Sequence, residues 1–507
     1  MRSFTKSLFL VALAVPVMAF IAECVVGPEF GVDAGVFRYL GWVMSTGGEL
    51  YRTVWDNKGP ILFLPQFLGY LIVPTGRCGP GLVVMAMWVA SAILYRRIVL
   101  KLTGNGHVAS VSAFVYVVLA AGMGGLATQN SQEAIALFFV MVGVAGHLLQ
   151  SGRIGNFLLG VCVSCVFLVK PNLVSFGGAI LVFWAYDAIS QGDWKMFMRR
   201  SFFSFFGFAG ALLFVTVYFA FSGRAYDFWD ATFLFGFFEY GNRDVSLLEF
   251  WQGWVLRRLE DPFGGNHDIW QLPMFLVLFC VSLFGGIRLW CRGHRGPSVF
   301  LLSWLVLEYV MVLSFRQFFE HYLVMVCPVV SVLSVYFINM VKLSSVRLAA
   351  VVRVGLLVVF CGWYLLYCVG MVCAVRRNNT MEGWEERLEQ YAMRNIGGEQ
   401  IAVIGGVRTA GLMDFLKMKT PQKYCCVLMN HTFAKAAWRR QEMTDDLLAA
   451  LRSPETMWLF CERTREDIRT EFAECPDVTL ELSGWREAYA TPLGVFYRRE
   501  GSESTLK

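Results

Sequence analysis

The sequence predicts a polytopic all-α membrane domain followed by a small soluble α/β domain, on three observations. Of 507 residues, 56% are apolar and 15% aromatic, 16% are charged, and mean hydropathy is +0.53, a balance that makes a bilayer the natural solvent. The apolar residues gather in runs long enough to cross about 30 Å of hydrocarbon as helix. After residue 372 these runs give way to shorter, more charged segments.

The runs lie at 7–26, 79–98, 108–122, 133–149, 155–170, 173–190, 201–222, 270–287, 297–314, 321–340 and 348–372, which makes about eleven spans. The first is long for the apolar core of a cleaved signal and suits a helix that stays. With Arg2 and Lys6 inside, every loop falling on the inner side is basic. These loops carry Arg96, Arg97 and Lys101; Arg153; Lys195, Arg199 and Arg200; Arg288, Arg292 and Arg295; and Lys342 and Arg347, as short cytoplasmic loops do. That orientation requires PILFLPQFLGYLIVP (60–74), short and interrupted by Pro65, to be a juxtamembrane or re-entrant helix at the outer surface instead of a span. The net charge of +6 therefore reports membrane orientation, and nucleic-acid binding is excluded.

Two outer loops, 27–78 and 223–269, are too long to be plain connectors. The division expected is a transmembrane domain, 1–374, that includes the first outer loop with its juxtamembrane helices, and an outer-face α/β domain, 375–507. In the latter IAVIG (401–405), YCCVLM (424–429), ETMWLF (455–460) and GVFYRR (494–499) read as strands, with helices near 433–452 and 463–474 and an amphipathic stretch at 382–394. Most cysteines lie inside apolar runs, where cysteine acts as a small hydrophobe. The Cys162–Cys165 spacing inside such a run reads as helix packing. Pairing among Cys425, Cys426, Cys461 and Cys475 stays open.

Chemistry concentrates at the outer ends of the runs. Asp33 stands a few residues beyond the first run, where a partly dehydrated carboxylate suits a base that takes a proton from a hydroxyl; the plainer reading is an N-cap of the following helix. Asp56 and Lys58 sit in a turn, WDNKGP, before the 60–74 helix, and a cation there suits a lipid phosphate at headgroup depth. A surface Asp–Lys pair is the alternative. Glu133, in ATQNSQEA, marks the outer mouth of a span, where an acid is a functional candidate or serves the helix dipole. Arg316, Glu320, His321 and Tyr322, in SFRQFFEHYL, fall at another outer boundary, suited to clamping phosphate oxygens or to interfacial anchoring. Lys170 reads as a snorkelling cation. Asn378 and Asn430 lie in N-x-T triplets, common by chance. There is no P-loop, HExxH, GxSxG or GxGxxG array, and the Gly405–Gly406 pair lacks dinucleotide-binding spacing.

The order of these features is informative: an acid after the first run, a W-D-x-K-x-P turn (Trp55, Asp56, Lys58, Pro60) before a juxtamembrane helix, a second-loop acid, a late R-x-x-x-x-H-Y and a small α/β tail. This layout through residue 372 resembles the GT-C membrane glycosyltransferases, in the bacterial branch related to protein O-mannosyltransferases and the lipid A aminoarabinose transferase. The resemblance implies a GT-C fold and an enzyme that moves a sugar, with inversion, from a polyprenyl-phosphate donor to an acceptor hydroxyl at the outer face. It implies Asp33 as general base, Glu133 as a second catalytic acid in place of the family's usual Asp or paired acids, and Lys58, Arg316 and His321 toward the donor phosphate. Asp56, Tyr39 and Tyr322 are further site candidates. The partners implied are a lipid-linked sugar, membrane lipids, and a glycan, lipid or protein acceptor. Some family members bind a divalent metal; this sequence offers no clear ligand set, and no cofactor is expected. The expected location is a bacterial inner membrane, N-terminus cytoplasmic and C-terminal domain periplasmic or extracellular. The rival reading, a transporter or flippase, calls for mid-span ionisable residues and repeated halves.

Overall fold

A computed structural model describes residues 33–74, 78–124, 132–150, 152–239, 271–314, 324–340 and, with short gaps, 9–21, 387–396 and 400–500. The fold is mostly helical with one small sheet. Helices Cys78–Thr103, Gly106–Gly124, Gln132–Leu149, Arg153–Phe167, Ser175–Gln191, Trp194–Phe221, Gln271–Cys291, Arg295–Ser314 and Cys327–Met340 overlap the predicted runs from 79–98 to 321–340. Among the described residues, four helices are long and apolar enough to cross a membrane by length and composition: Cys78–Thr103, Gln132–Leu149, Pro171–Gln191 and Trp194–Phe221. The predicted run 348–372 lies outside the described residues.

The chain divides into two compact units. One comprises Met1–Ile21, Val84–Val217 and Asn242–Val369; the other comprises Ala22–Val83, Tyr218–Gly241 and Gly370–Lys507. In the first unit, helices Gln132–Leu149 and Arg153–Phe167 pack as a tight hairpin. A Cβ on Gly143 would lie 2.9 Å from the Cβ of Cys162, so the cysteine is a packing residue at a close crossing. Across the same crossing His147 Nδ1 pairs with Asn156 Oδ1 at 3.0 Å, while Trp184 Nε1–H donates to His147 Nε2 at 3.1 Å. The indole donor fixes the tautomer, because Nε2 must accept and Nδ1–H must donate. The Trp194–Phe221 helix leaves Phe202, Phe205, Phe206, Leu213 and Phe214 exposed, an apolar surface of the kind lipid covers.

The second unit joins the first long loop to the C-terminal sheet. That sheet has the order β1-β2-β4-β3, with β1 Gln400–Ile404, β2 Thr456–Cys461, β3 Trp485–Thr491 and β4 Gly494–Arg499. β1 and β2 pair in parallel and the other neighbours antiparallel. β1 and β2 are buried nearly throughout, as parallel strands covered on both faces are. Three of the predicted strands recur within a residue. Tyr424–Cys426, read from sequence as strand, form no strand, and Cys425 and Cys426 lie in a turn. Its backbone is satisfied by a side chain: the N–H groups of Lys423 and Tyr424 donate to the Asp446 carboxylate at 3.2 and 3.0 Å. The helix predicted at 433–452 runs Ala437–Arg452, and most of the helix predicted at 463–474 lies outside the described residues. Cys425, Cys426, Cys461 and Cys475 are all free thiols.

Helix Asp33–Ser45 packs on helix Val407–Leu416 through glycine. A Cβ on Gly35 would stand 2.8 Å from the Gly411 Cα, an approach only glycine permits. Buried Asp414 ties the elements together, accepting from Tyr70 Oη at 2.5 Å, Lys417 Nζ at 2.6 Å and Arg38 Nε at 3.3 Å. The segment read as juxtamembrane forms a 3₁₀ turn, Pro60–Leu62, and a helix, Leu64–Ile72. Its Pro65, Gln66, Gly69 and Tyr70 are buried, while Leu64, Leu68, Leu71 and Ile72 remain exposed along one side.

Candidate functional site

Asp33 is the first residue of its helix and is exposed, whereas Ala34 through Val43 are buried. An acid in the first turn serves the helix dipole whatever else it does. Asp56 and Lys58 belong to the same unit. Asp56 is buried, at 7% exposure, and its Oδ1 accepts the Lys58 N–H at 2.9 Å and lies 3.9 Å from Lys58 Nζ. Burial pushes the Asp56 carboxyl above the usual carboxylate range; the Lys58 charge opposes this, and the Asp33 charge adds to it. Asp33, Asp56 and Lys58 thus fall in one unit, with Asp56 and Lys58 in direct contact.

The Lys58 ammonium also donates to Asn57 Oδ1, and its side chain is 15% exposed. Trp55 is buried edge-on against Phe235 at 5.1 Å and beside Tyr424 at 5.2 Å, and its main-chain N–H donates to the Lys423 carbonyl at 2.9 Å. Phe235 belongs to a π-helix, Asp230–Glu239, a rare geometry that collects at functional sites. Arg439, 2% exposed, holds this helix with a fork to Asp230, at 2.7 and 2.5 Å, and reaches Glu239 at 3.5 Å. Nothing in AWRRQEMTDDLLAALR distinguishes Arg439 from its neighbour Arg440; only the fold does.

Tyr39 is buried, and its hydroxyl accepts the Thr420 N–H at 3.2 Å. Burial pushes its phenol upward, so Tyr39 is a joint between the first long loop and the tail. The Gly405–Gly406 turn is filled from within. The Glu462 carboxylate accepts from the Gly406 N–H at 2.7 Å and the Thr409 hydroxyl at 3.1 Å, taking the position a phosphate would need.

Glu133 belongs to the other unit, at the start of helix Gln132–Leu149, and is fully buried. Lys170 Nζ stands 3.8 Å from its Oε1. The lysine read from sequence as snorkelling is thus the counter-charge of a buried acid. In the same unit the Ser175 hydroxyl donates to Glu308, a wholly buried carboxyl that no sequence motif marks. Arg316, His321 and Tyr322 lie outside the described residues. Among the described residues no cluster of three or more His, Cys, Asp or Glu is placed to hold a metal ion.

No protein-family model matches the sequence, and neither does any curated protein. Solved structures do match. The crystal structure of ArnT from Cupriavidus metallidurans bound to undecaprenyl phosphate matches with a TM-score of 0.62 at 13% identity, covering 97% of this chain and 98% of that one. The same protein in the apo state gives a TM-score of 0.60 at 14% identity, covering 96% and 97%. The chain therefore has, over almost its whole length, the fold of ArnT.

Proposed function

We propose that this chain is an integral membrane glycosyltransferase that moves a sugar from a polyprenyl-phosphate donor to an acceptor hydroxyl. The observation that carries the reading is the pairing of an ArnT fold with a contacting Asp56–Lys58 pair in its first long loop, which Asp33 opens. One of the matching ArnT structures is bound to undecaprenyl phosphate, which supports a lipid-linked phosphate as the donor type.

In this reading the two nearby carboxylates divide the work by environment. Asp33, exposed at its helix start, takes the proton of the acceptor hydroxyl as that oxygen attacks the anomeric carbon. Asp56, buried, holds the lysine turn. Lys58 faces the phosphate, whose negative charge grows as the glycosidic bond breaks, so the cation binds the transition state more strongly than the ground state. Attack opposite the leaving phosphate inverts the anomeric centre. Glu133 is the further catalytic candidate, and Arg316 and His321 are further donor-phosphate candidates. The exposed Leu64, Leu68, Leu71 and Ile72 suit a helix resting on the lipid surface. Basic loops orient the N-terminus to the cytoplasm and the tail to the outer face of the inner membrane.

The test is sugar release from a polyprenyl-phosphate sugar in detergent, comparing wild type with Asp33→Asn. Loss of a general base lowers turnover by about 10²–10⁴-fold. Unchanged turnover in a folded Asp33→Asn protein would sink the assignment of the base.

A further inference from the structure

We propose that Tyr51 is a positioning residue for Lys58, its hydroxyl holding the lysine main chain so that the ammonium meets the donor phosphate at a fixed place. The inference rests on the donor-phosphate reading of Lys58.

Tyr51 has φ +69°, a left-handed conformation that a bulky side chain rarely adopts. Such backbone persists only where its surroundings over-determine it, and it collects at functional sites. The surroundings here do so. The Tyr51 N–H donates to the Val54 carbonyl at 2.7 Å, closing a tight loop. The ring is fully buried against the stacked pair Phe219, at 5.5 Å, and Phe228, at 6.2 Å. Arg224 Nη1 braces the same loop through the Leu50 carbonyl at 3.1 Å.

Packing alone would be served by phenylalanine, but the hydroxyl is fully used. It donates to the Lys58 carbonyl at 2.7 Å, and the Thr232 hydroxyl, 3.2 Å away, donates to it in turn. Burial pushes the phenol upward, so the group stays an O–H donor at working pH. The Lys58 N–H is meanwhile held by Asp56 Oδ1 at 2.9 Å. Both main-chain polar groups of Lys58 are thus fixed by side chains from separate places. Thr232 lies on the π-helix that Arg439 holds, so Tyr51 transmits the position of that helix to the lysine.

The test is Tyr51→Phe, which keeps the ring and deletes the hydroxyl, read in two independent ways. First, the rate at which acetic anhydride labels Lys58 is measured by mass spectrometry, with the other lysines as internal standards. A several-fold rise confined to Lys58 is expected, and an unchanged Lys58 rate overturns the proposal whatever happens to turnover. Second, the KM for a polyprenyl-phosphate sugar is expected to rise about tenfold, equivalent to about 1.4 kcal/mol, with kcat within about threefold of wild type. On a Lys58→Met background Tyr51→Phe should then change nothing further, because the group it positions is gone. Additive losses in that double variant also overturn the proposal. A wild-type chain that turns over no such donor, with Lys58 labelling still raised by Tyr51→Phe, sinks the transferase reading and leaves the positioning of Lys58 standing.

Discussion

Replacing Arg439 with alanine tests whether the C-terminal sheet domain is electrically bolted to the π-helix. Arg439 is 2% exposed and faces Asp230, at 2.7 and 2.5 Å, and Glu239, at 3.5 Å, both themselves buried; Glu442, at 3.4 Å, is its partly exposed third partner. Removing the guanidinium leaves two buried carboxylates without their principal counter-charge, and breaking a buried pair from one side costs about 3–5 kcal/mol. At about 2–4 °C per kcal/mol for units of about 150–250 residues, the unfolding midpoint should fall by roughly 6–20 °C. Tryptophan fluorescence is a suitable reporter in detergent, since Trp55 packs edge-on against this helix at Phe235. The loss should also depend on pH. Glu239 already sits above the ordinary carboxyl range because burial outweighs the pull of Arg439, and without the arginine it moves further up. A carboxyl raised in the folded state favours folding when protonated and disfavours it as pH rises through its native value. The Arg439→Ala deficit should therefore be larger at pH 8 than at pH 5. Arg439→Met combined with Asp230→Asn and Glu239→Gln removes all three charges together and should recover most of the loss. A midpoint within about 3 °C of wild type, or a deficit that does not grow with pH, would refute the reasoning.

Lys170→Met should cost more stability than the Lys170→Met/Glu133→Gln pair, because the single change leaves a fully buried Glu133 without the ammonium 3.8 Å away; equal unfolding midpoints for the two variants would count against the ion pair. Gly35→Ala places a methyl 2.8 Å from the Gly411 Cα, where neither backbone can yield cheaply, and overpacking of this kind costs about 1–3 kcal/mol; a thermal midpoint equal to wild type would show that the two helices part without penalty.

What was legible in the sequence, and what was not, divides along the distance over which each interaction acts. The helices could be read because membrane-scale apolar runs are a local property, and the Asp56–Lys58 pair because a turn brings residues two apart into contact. β1 and β2 were legible because both faces are covered and the whole strand is apolar. β3 was not: WREAYAT is an edge strand with most of its residues open to solvent, so neither a continuous apolar run nor clean alternation marks it. The apolar YCCVLM misled for the opposite reason, because its first residues are a buried turn whose amides Asp446 satisfies, and burial alone does not specify a strand. Lys170 was noticed but read as snorkelling, and Arg439 and Tyr51 were passed over, because each takes its meaning from a partner far along the chain or, for Tyr51, also from a backbone angle that no residue type announces. These illegible residues share a feature: each holds a charged or hydroxyl group in place instead of presenting it. A side chain that must meet a substrate is constrained in type, and so leaves a motif. One that positions it is constrained only by the fold around it, which is why the lysine turn can be read from WDNKGP while its support, Tyr51 on Thr232 with Arg439 beyond, appears only when the chain is folded.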